Sequence, residues 1–145
     1  MKRITTIILT LILLITCTSV CHANDDVKVL INNYPLEFDV PPQIIDGRTM
    51  VPMRKIFEAF GAKVDWIQDM QTVIAVYKTS IIAMPANEYS FSVTDVVTNE
   101  TKTVTLDVPV QIIDGRTLVP ARAISEAIGK KVDWDPSTRT VLIND

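Results

Sequence analysis

The chain has 145 residues, 48% of them hydrophobic, with 14 basic residues against 17 acidic ones and one histidine. That balance excludes general attraction to nucleic acid or to an anionic membrane, both of which need clustered basic residues. Two cysteines and one histidine leave little material for thiol, imidazole or zinc chemistry.

From the N-terminus, Lys2-Arg3, the apolar stretch Ile4 to Thr16 and then Cys21-His22-Ala23 read as a signal peptide over residues 1–23, cleaved before Asn24. The apolar run is short for a bilayer span and no basic residues follow it. A lipoprotein reading through Cys17 is the weaker one, because Thr16 is a poor residue immediately before a lipidated cysteine. Cleavage discards Cys17, Cys21 and His22, so the expected mature chain carries neither thiol nor imidazole. Loss of Lys2 and Arg3 leaves 12 basic residues against 17 acidic ones, a net charge of −5. The expected location is secreted or cell-surface, with no membrane attachment after cleavage. Without a disulfide the fold must rest on its core, for which about 120 residues suffice.

In the mature region, Val27 to Ile31 alternates apolar and polar residues, and Asn32-Asn33 predicts a hairpin turn into a strand from Tyr34 to Phe38. Asp39-Val40-Pro41 closes that strand, since proline cannot continue a central ladder. The phrase Gln43-Ile-Ile-Asp-Gly-Arg-Thr follows, and Asp46-Gly47 is a tight-turn dipeptide because glycine accepts positive φ. A short strand–turn–strand arm over Gln43 to Val51 is expected. A helix beginning at Pro52 buries Met53, Ile56, Phe57 and Phe60 at helical spacing and stops at Gly61. Lys63-Val-Asp-Trp66 then alternates as a strand with Val64 and Trp66 inward, and a turn over Ile67 to Gln71 leads to the strand Thr72 to Tyr77.

Strands at Ser80 to Met84 and Tyr89 to Val93 precede Thr98 to Lys102, which reads as an exposed loop. Beyond it, Thr103 to Leu106 and Asp107-Val108-Pro109 introduce a second copy of the phrase. From Pro109 to Asp145, 21 of 37 positions are identical to Pro41 to Tyr77, at an offset of 68. Asp114, Gly115, Arg116, Pro120, Arg122, Glu126, Gly129 and Trp134 repeat Asp46, Gly47, Arg48, Pro52, Arg54, Glu58, Gly61 and Trp66. Two copies at this spacing indicate a duplicated supersecondary unit, with half-repeats of about 27–82 and 91–145 in one domain over 24–145. The last turn, Asp135 to Arg139, and the strand Thr140 to Ile143 complete the second copy.

Each arginine–glutamate pair, Arg54/Glu58 and Arg122/Glu126, shares a helix face. An anion clamp is one reading; an intrahelical pair, or an arginine tied to the carbonyls of the adjoining arm, is the better one, because functional clusters rarely repeat identically on both halves of a scaffold. Arg48 and Arg116 are solvent-facing turn residues, candidates for binding but more simply local structural pairs. Trp66 and Trp134 could form a glycan-stacking pair, yet their phase with a core-facing valine makes core the better reading. Tyr34, Tyr77 and Tyr89 have no ordering by spacing. Paired carboxylates exist as Asp65/Asp133 and Asp46/Asp114, without a sign of a shared cleft. Histidine and cysteine metal ligands, nucleophile–histidine pairs, phosphate loops and an Asp-rich calcium loop are missing from the mature inventory, so no cofactor or metal is expected.

The doubled Asp-Gly-Arg-Thr-[Met/Leu]-Val-Pro-x-Arg, the helix with its closing glycine and Lys-Val-Asp-Trp resemble the copper amine oxidase N-terminal-like domain, over about Val27 to Ile143. The resemblance implies a secreted or surface module of Gram-positive bacteria, with an α+β fold in which an antiparallel sheet wraps around helix, and no oxidase activity. The expected fold is therefore α+β, two short helices packed by antiparallel sheet in two hairpin–helix–hairpin halves. The expected function is a non-catalytic extracellular binding or scaffolding module at the cell envelope, its partner a cell-wall glycan or a secreted or surface protein. A carboxylate-dependent hydrolase of wall polymers is one alternative. Self-assembly as a homodimer through strand edges at Val27 and Ile143 is the other.

Overall fold

A computed structural model describes residues 26–145. The predicted signal peptide, with Cys17, Cys21 and His22, lies outside the described residues. Lys28–Ile31 (β1) turns through Asn32 and Asn33, with φ of 49° and 68°, into Tyr34–Pro35 (β2). The strand ends there rather than at Phe38, with one further bond, from Leu36 N–H to the Val29 carbonyl at 2.9 Å. Gln43–Ile45 (β3) and Arg48–Pro52 (β4) flank the left-handed pair Asp46-Gly47, at 48° and 72°. Gln111–Ile113 (β10) and Arg116–Pro120 (β11) repeat this arm, with Asp114 and Gly115 at the same two angles.

Each arm runs directly into a helix, Met53–Ala59 (α1) or Ala121–Ile128 (α2). Pro52 and Pro120 end strands and stand just ahead of the helices, so helix begins one residue later than predicted. At the other end of α1, Gly61 N–H reaches the Glu58 carbonyl and Ala62 N–H reaches that of Phe57, both at 2.9 Å. These paired bonds cap carbonyls that the helix itself leaves open. Gly129 closes α2 at φ 67°.

Lys63–Ile67 (β5), a 3-10 turn at Gln68–Met70 and Thr72–Tyr77 (β6) follow α1. Lys131–Asp135 (β12) and Thr140–Asn144 (β13) follow α2. Between the copies lie Ser80–Pro85 (β7), Ser90–Asp95 (β8) and Glu100–Thr105 (β9). The predicted loop at Thr98 to Lys102 is thus a hairpin tip and the start of a strand. The Asp95 carboxylate accepts from the Val97 and Thr98 N–H groups at 2.8 and 3.1 Å, and Asn99 takes φ 57°. The polarity of this stretch marks an exposed strand, one that threonine suits well.

The strands form three sheets, ordered β12-β13-β1-β2, β10-β11-β4-β3 and β5-β6-β7-β8-β9. Both outer sheets mix the copies. Strand β1, which precedes the first phrase, pairs in parallel with β13, which ends the second. Strands β8 and β9, which precede the second phrase, complete the sheet of β5 and β6 from the first. The hairpins β1–β2, β3–β4 and β5–β6 form within the first half and β8–β9, β10–β11 and β12–β13 within the second, while the sheets they enter are shared between the halves. Strands at Val27 and Ile143, expected as free edges for self-assembly, lie against one another inside one sheet, with Ile31 opposite Ile143.

In the middle sheet, β4 and β11 pair antiparallel, with Val51 opposite Val119, Pro52 opposite Leu118 and Met50 opposite Pro120. Val51 and Val119 are the same position of the repeated phrase, so this ladder is symmetric about them. Alternation along β4 and β11 sends Val51 and Val119 into the main core with Ile56, Phe57 and Ile124. Met50 and Leu118 point the other way, into a smaller apolar cluster with Val40 and Val108. Both faces of the central sheet are thereby covered, which explains the fully buried run at the end of each arm.

Candidate binding clefts

The central ladder places the Asp-Gly-Arg-Thr turn of each copy beside the helix start of the other. Arg116 donates from Nε to Asp39 Oδ2 at 2.8 Å and again from Nη2 to the same oxygen. Arg48 reciprocates with Asp107 through Nε. Each guanidinium also clasps the carbonyl of its own turn glycine, Gly115 at 3.2 Å and Gly47 at 3.3 Å. The Arg116 guanidinium holds the Asp39 carboxyl below its ordinary value, and Arg48 does the same for Asp107. Instead of the expected local pairs, these arginines tie one copy to the other. All four side chains remain about half exposed, so solvent weakens the attraction.

Two clefts open along these contacts. The first, about 840 Å³, lies between Arg116 and Ile112 of one copy and Arg54, Trp66 and Val73 of the other. The second, about 570 Å³, repeats it at the same offset with Arg48, Ile44, Arg122, Trp134 and Val141. Both volumes fall in the range of sites for small ligands or polymer segments. The four predicted binding candidates are brought together in pairs, Arg116 with Trp66 and Arg48 with Trp134. Trp134 departs from the core reading, whereas Trp66 meets it in part. Trp66 is half-buried against the main core, and Trp134 is 40% exposed. Ile44 and Ile112, 46% and 44% exposed, add an apolar surface to each cleft.

The structural-motif residues divide between the copies. Arg54 donates to the Val64 carbonyl at 2.7 Å and lies 3.8 Å from Glu58, as the structural reading expects. The second pair does not form: Glu126 binds Lys102 of β9 instead. Lys102 stands at the repeat position of Tyr34, so the first copy has no such competitor. Tyr34 and Tyr89 are exposed, whereas Tyr77 is buried, and they form no platform.

The carboxylate pairs required for hydrolysis are kept apart. Asp65 and Asp133 sit on β5 and β12, in different sheets. Asp46 and Asp114 occupy turns that the antiparallel β4–β11 ladder sends to opposite ends of the central sheet. Among the described residues, no group of three or more His, Cys, Asp or Glu could hold a metal ion. Sequence reasoning overlooked Asp39 and Asp107 as cleft residues, reading them only as strand closers. Their recurrence at the repeat offset was the available signal.

Architecture and clefts together define a small α+β module of antiparallel sheets and two helices, organised around a repeated arm. The chain belongs to the copper amine oxidase N-terminal domain family, whose model matches residues 30–143. In that family the domain is a non-catalytic module. No curated protein matches the chain.

Proposed function

We propose that this chain is an exported, non-catalytic binding module that grips a cell-envelope glycan in its two clefts. The observation carrying this reading is the recurrence, in both clefts, of a partly exposed tryptophan facing an arginine from the other copy. A flat indole face packs against the apolar face of a sugar ring, while the arginine and aspartate around it exchange hydrogen bonds with hydroxyls. Gln68, Gln71 and Asn87 bring further amide donors and acceptors to the first cleft. The same arrangement supports internal duplication, with each site needing both copies.

Sedimentation of the purified protein with isolated wall glycan tests the reading. Binding should fall at least about tenfold in the Trp66→Ala/Trp134→Ala variant, since truncating an aromatic anchor typically removes most of a contact's strength. Equal retention of variant and parent on the glycan would exclude the clefts. Export predicts a mature N-terminus at Asn24, which mass spectrometry of the secreted protein reads directly; an intact Met1 would reject it.

A further inference from the structure

The two clefts are built alike and finished differently. In the first, the arginine of the helix start and the tryptophan N–H are both occupied by the protein itself. Arg54 is held by the Val64 carbonyl at 2.7 Å, and Trp66 Nε1 donates to Gln68 Oε1 at 2.8 Å. In the second, among the described residues, neither contact forms, and Arg122 makes no hydrogen bond to the Val132 carbonyl that corresponds to that of Val64. Gln68 is replaced by Pro136, which has no side-chain acceptor, and Glu126 is turned aside to Lys102. Among the described residues, Arg122 and the Trp134 indole N–H have no hydrogen-bond or ion-pair partner.

Building on the glycan reading, we infer that the second cleft selects a carboxylated sugar, with Arg122 clamping the carboxylate and Trp134 supporting the ring and donating its N–H. Formal charge alone does not make this distinction. The first cleft is lined by Arg54, Lys55 and Arg116 against Asp39 and Glu58, and the second by Arg48 and Arg122 against Asp107 and Asp133. What decides is how those charges are committed. Asp107 is engaged by Arg48, and Asp133 lies 3.0 Å from Lys131, outside the cleft lining. The guanidinium left to bind is Arg122, whose planar fork matches a carboxylate with two parallel bonds. A neutral sugar would satisfy the indole N–H but leave the guanidinium charge unpaired. An acidic sugar meets both, and its ring covers the exposed indole face.

Titration of the protein with tetragalacturonate and with neutral cellotetraose tests this, read by Trp134 fluorescence in a Trp66→Phe background. Tetragalacturonate should bind at least about tenfold more tightly, and the advantage should shrink as salt rises. Arg122→Gln should erase the preference, whereas Arg54→Gln, in the other cleft, should preserve it. Arg122 is exposed, so its replacement leaves the core untouched. A preference that survives Arg122→Gln, or tetraglutamate binding as tightly as the acidic sugar, overturns the inference. If both sugars bind equally, the anion selectivity alone fails. Failure of both sugars and of wall glycan to bind would bring down the glycan reading itself.

Discussion

Asp39 and Asp107 are ordinary surface acids until the fold sets Arg116 and Arg48 against them. In each the arginine hydrogen bond is the largest cause of a pKa lowered from 3.8. A carboxylate whose folded pKa is depressed contributes stability above its unfolded value, and that contribution is lost as pH falls through the folded one. The parent should therefore lose thermal stability below about pH 4, and Asp39→Asn/Asp107→Asn should lose less between neutral and strongly acidic buffer. Thermal melts at the two pH values measure the difference; an unchanged loss would remove these pairs from the account. Asp95, Asp135 and Asp145 are lowered too, so the variant keeps part of the acid response. None of the cross-copy pairing was legible in the sequence. Arg48 and Asp107 are 59 residues apart, and surface charges carry no local pattern that selects one partner over another.

Among the elements, what the sequence announced was local chemistry. Asp46-Gly47 and Asp114-Gly115 specify their turns because glycine and aspartate tolerate left-handed backbone, and Gly61 and Gly129 specify helix ends for the same reason. Gly129 offers a clean measurement. Its φ is 67°, and a Cβ built there meets nothing within 4 Å, so any penalty lies in the backbone alone. Gly129→Ala should cost about 1 to 2 kcal/mol, the strain of an ordinary residue in the left-handed region. Gly129→Asn should cost less, and urea midpoints of the two variants check the order. Elements whose place depends on distant pairing were harder to see. Thr98 to Lys102 read as loop because no apolar alternation marks it, yet β8 supplies the partner that makes Glu100–Thr105 a strand. Trp134 read as core from its phase with Val132. Its position depends on what covers β12, where Val132 is only half-buried and Trp134 faces the cleft.

For the molecule as a whole, interleaving sets how it comes apart. Each outer sheet contains strands from both sides of the repeat, and Val51 and Val119 join the same core. Neither copy keeps its sheet if the other is lost, so the two clefts should disappear in one step. Trp66 and Trp134 report this separately. Fluorescence unfolding of Trp134→Phe and Trp66→Phe, each corrected for its own stability by circular dichroism, should show indole and backbone transitions coinciding. A separated transition in either would mean that one half holds together alone.

The parallel pairing of β1 with β13 also determines how the module carries load. Lys28 lies opposite Thr140 and Ile31 opposite Ile143, so the two strands point the same way. Tension applied through the first residue of β1 and the last of β13 pulls them along their length in opposite directions. Their hydrogen bonds are then sheared together instead of being unzipped one after another. Pulled apart at these two strands, the protein resists with the whole ladder at once.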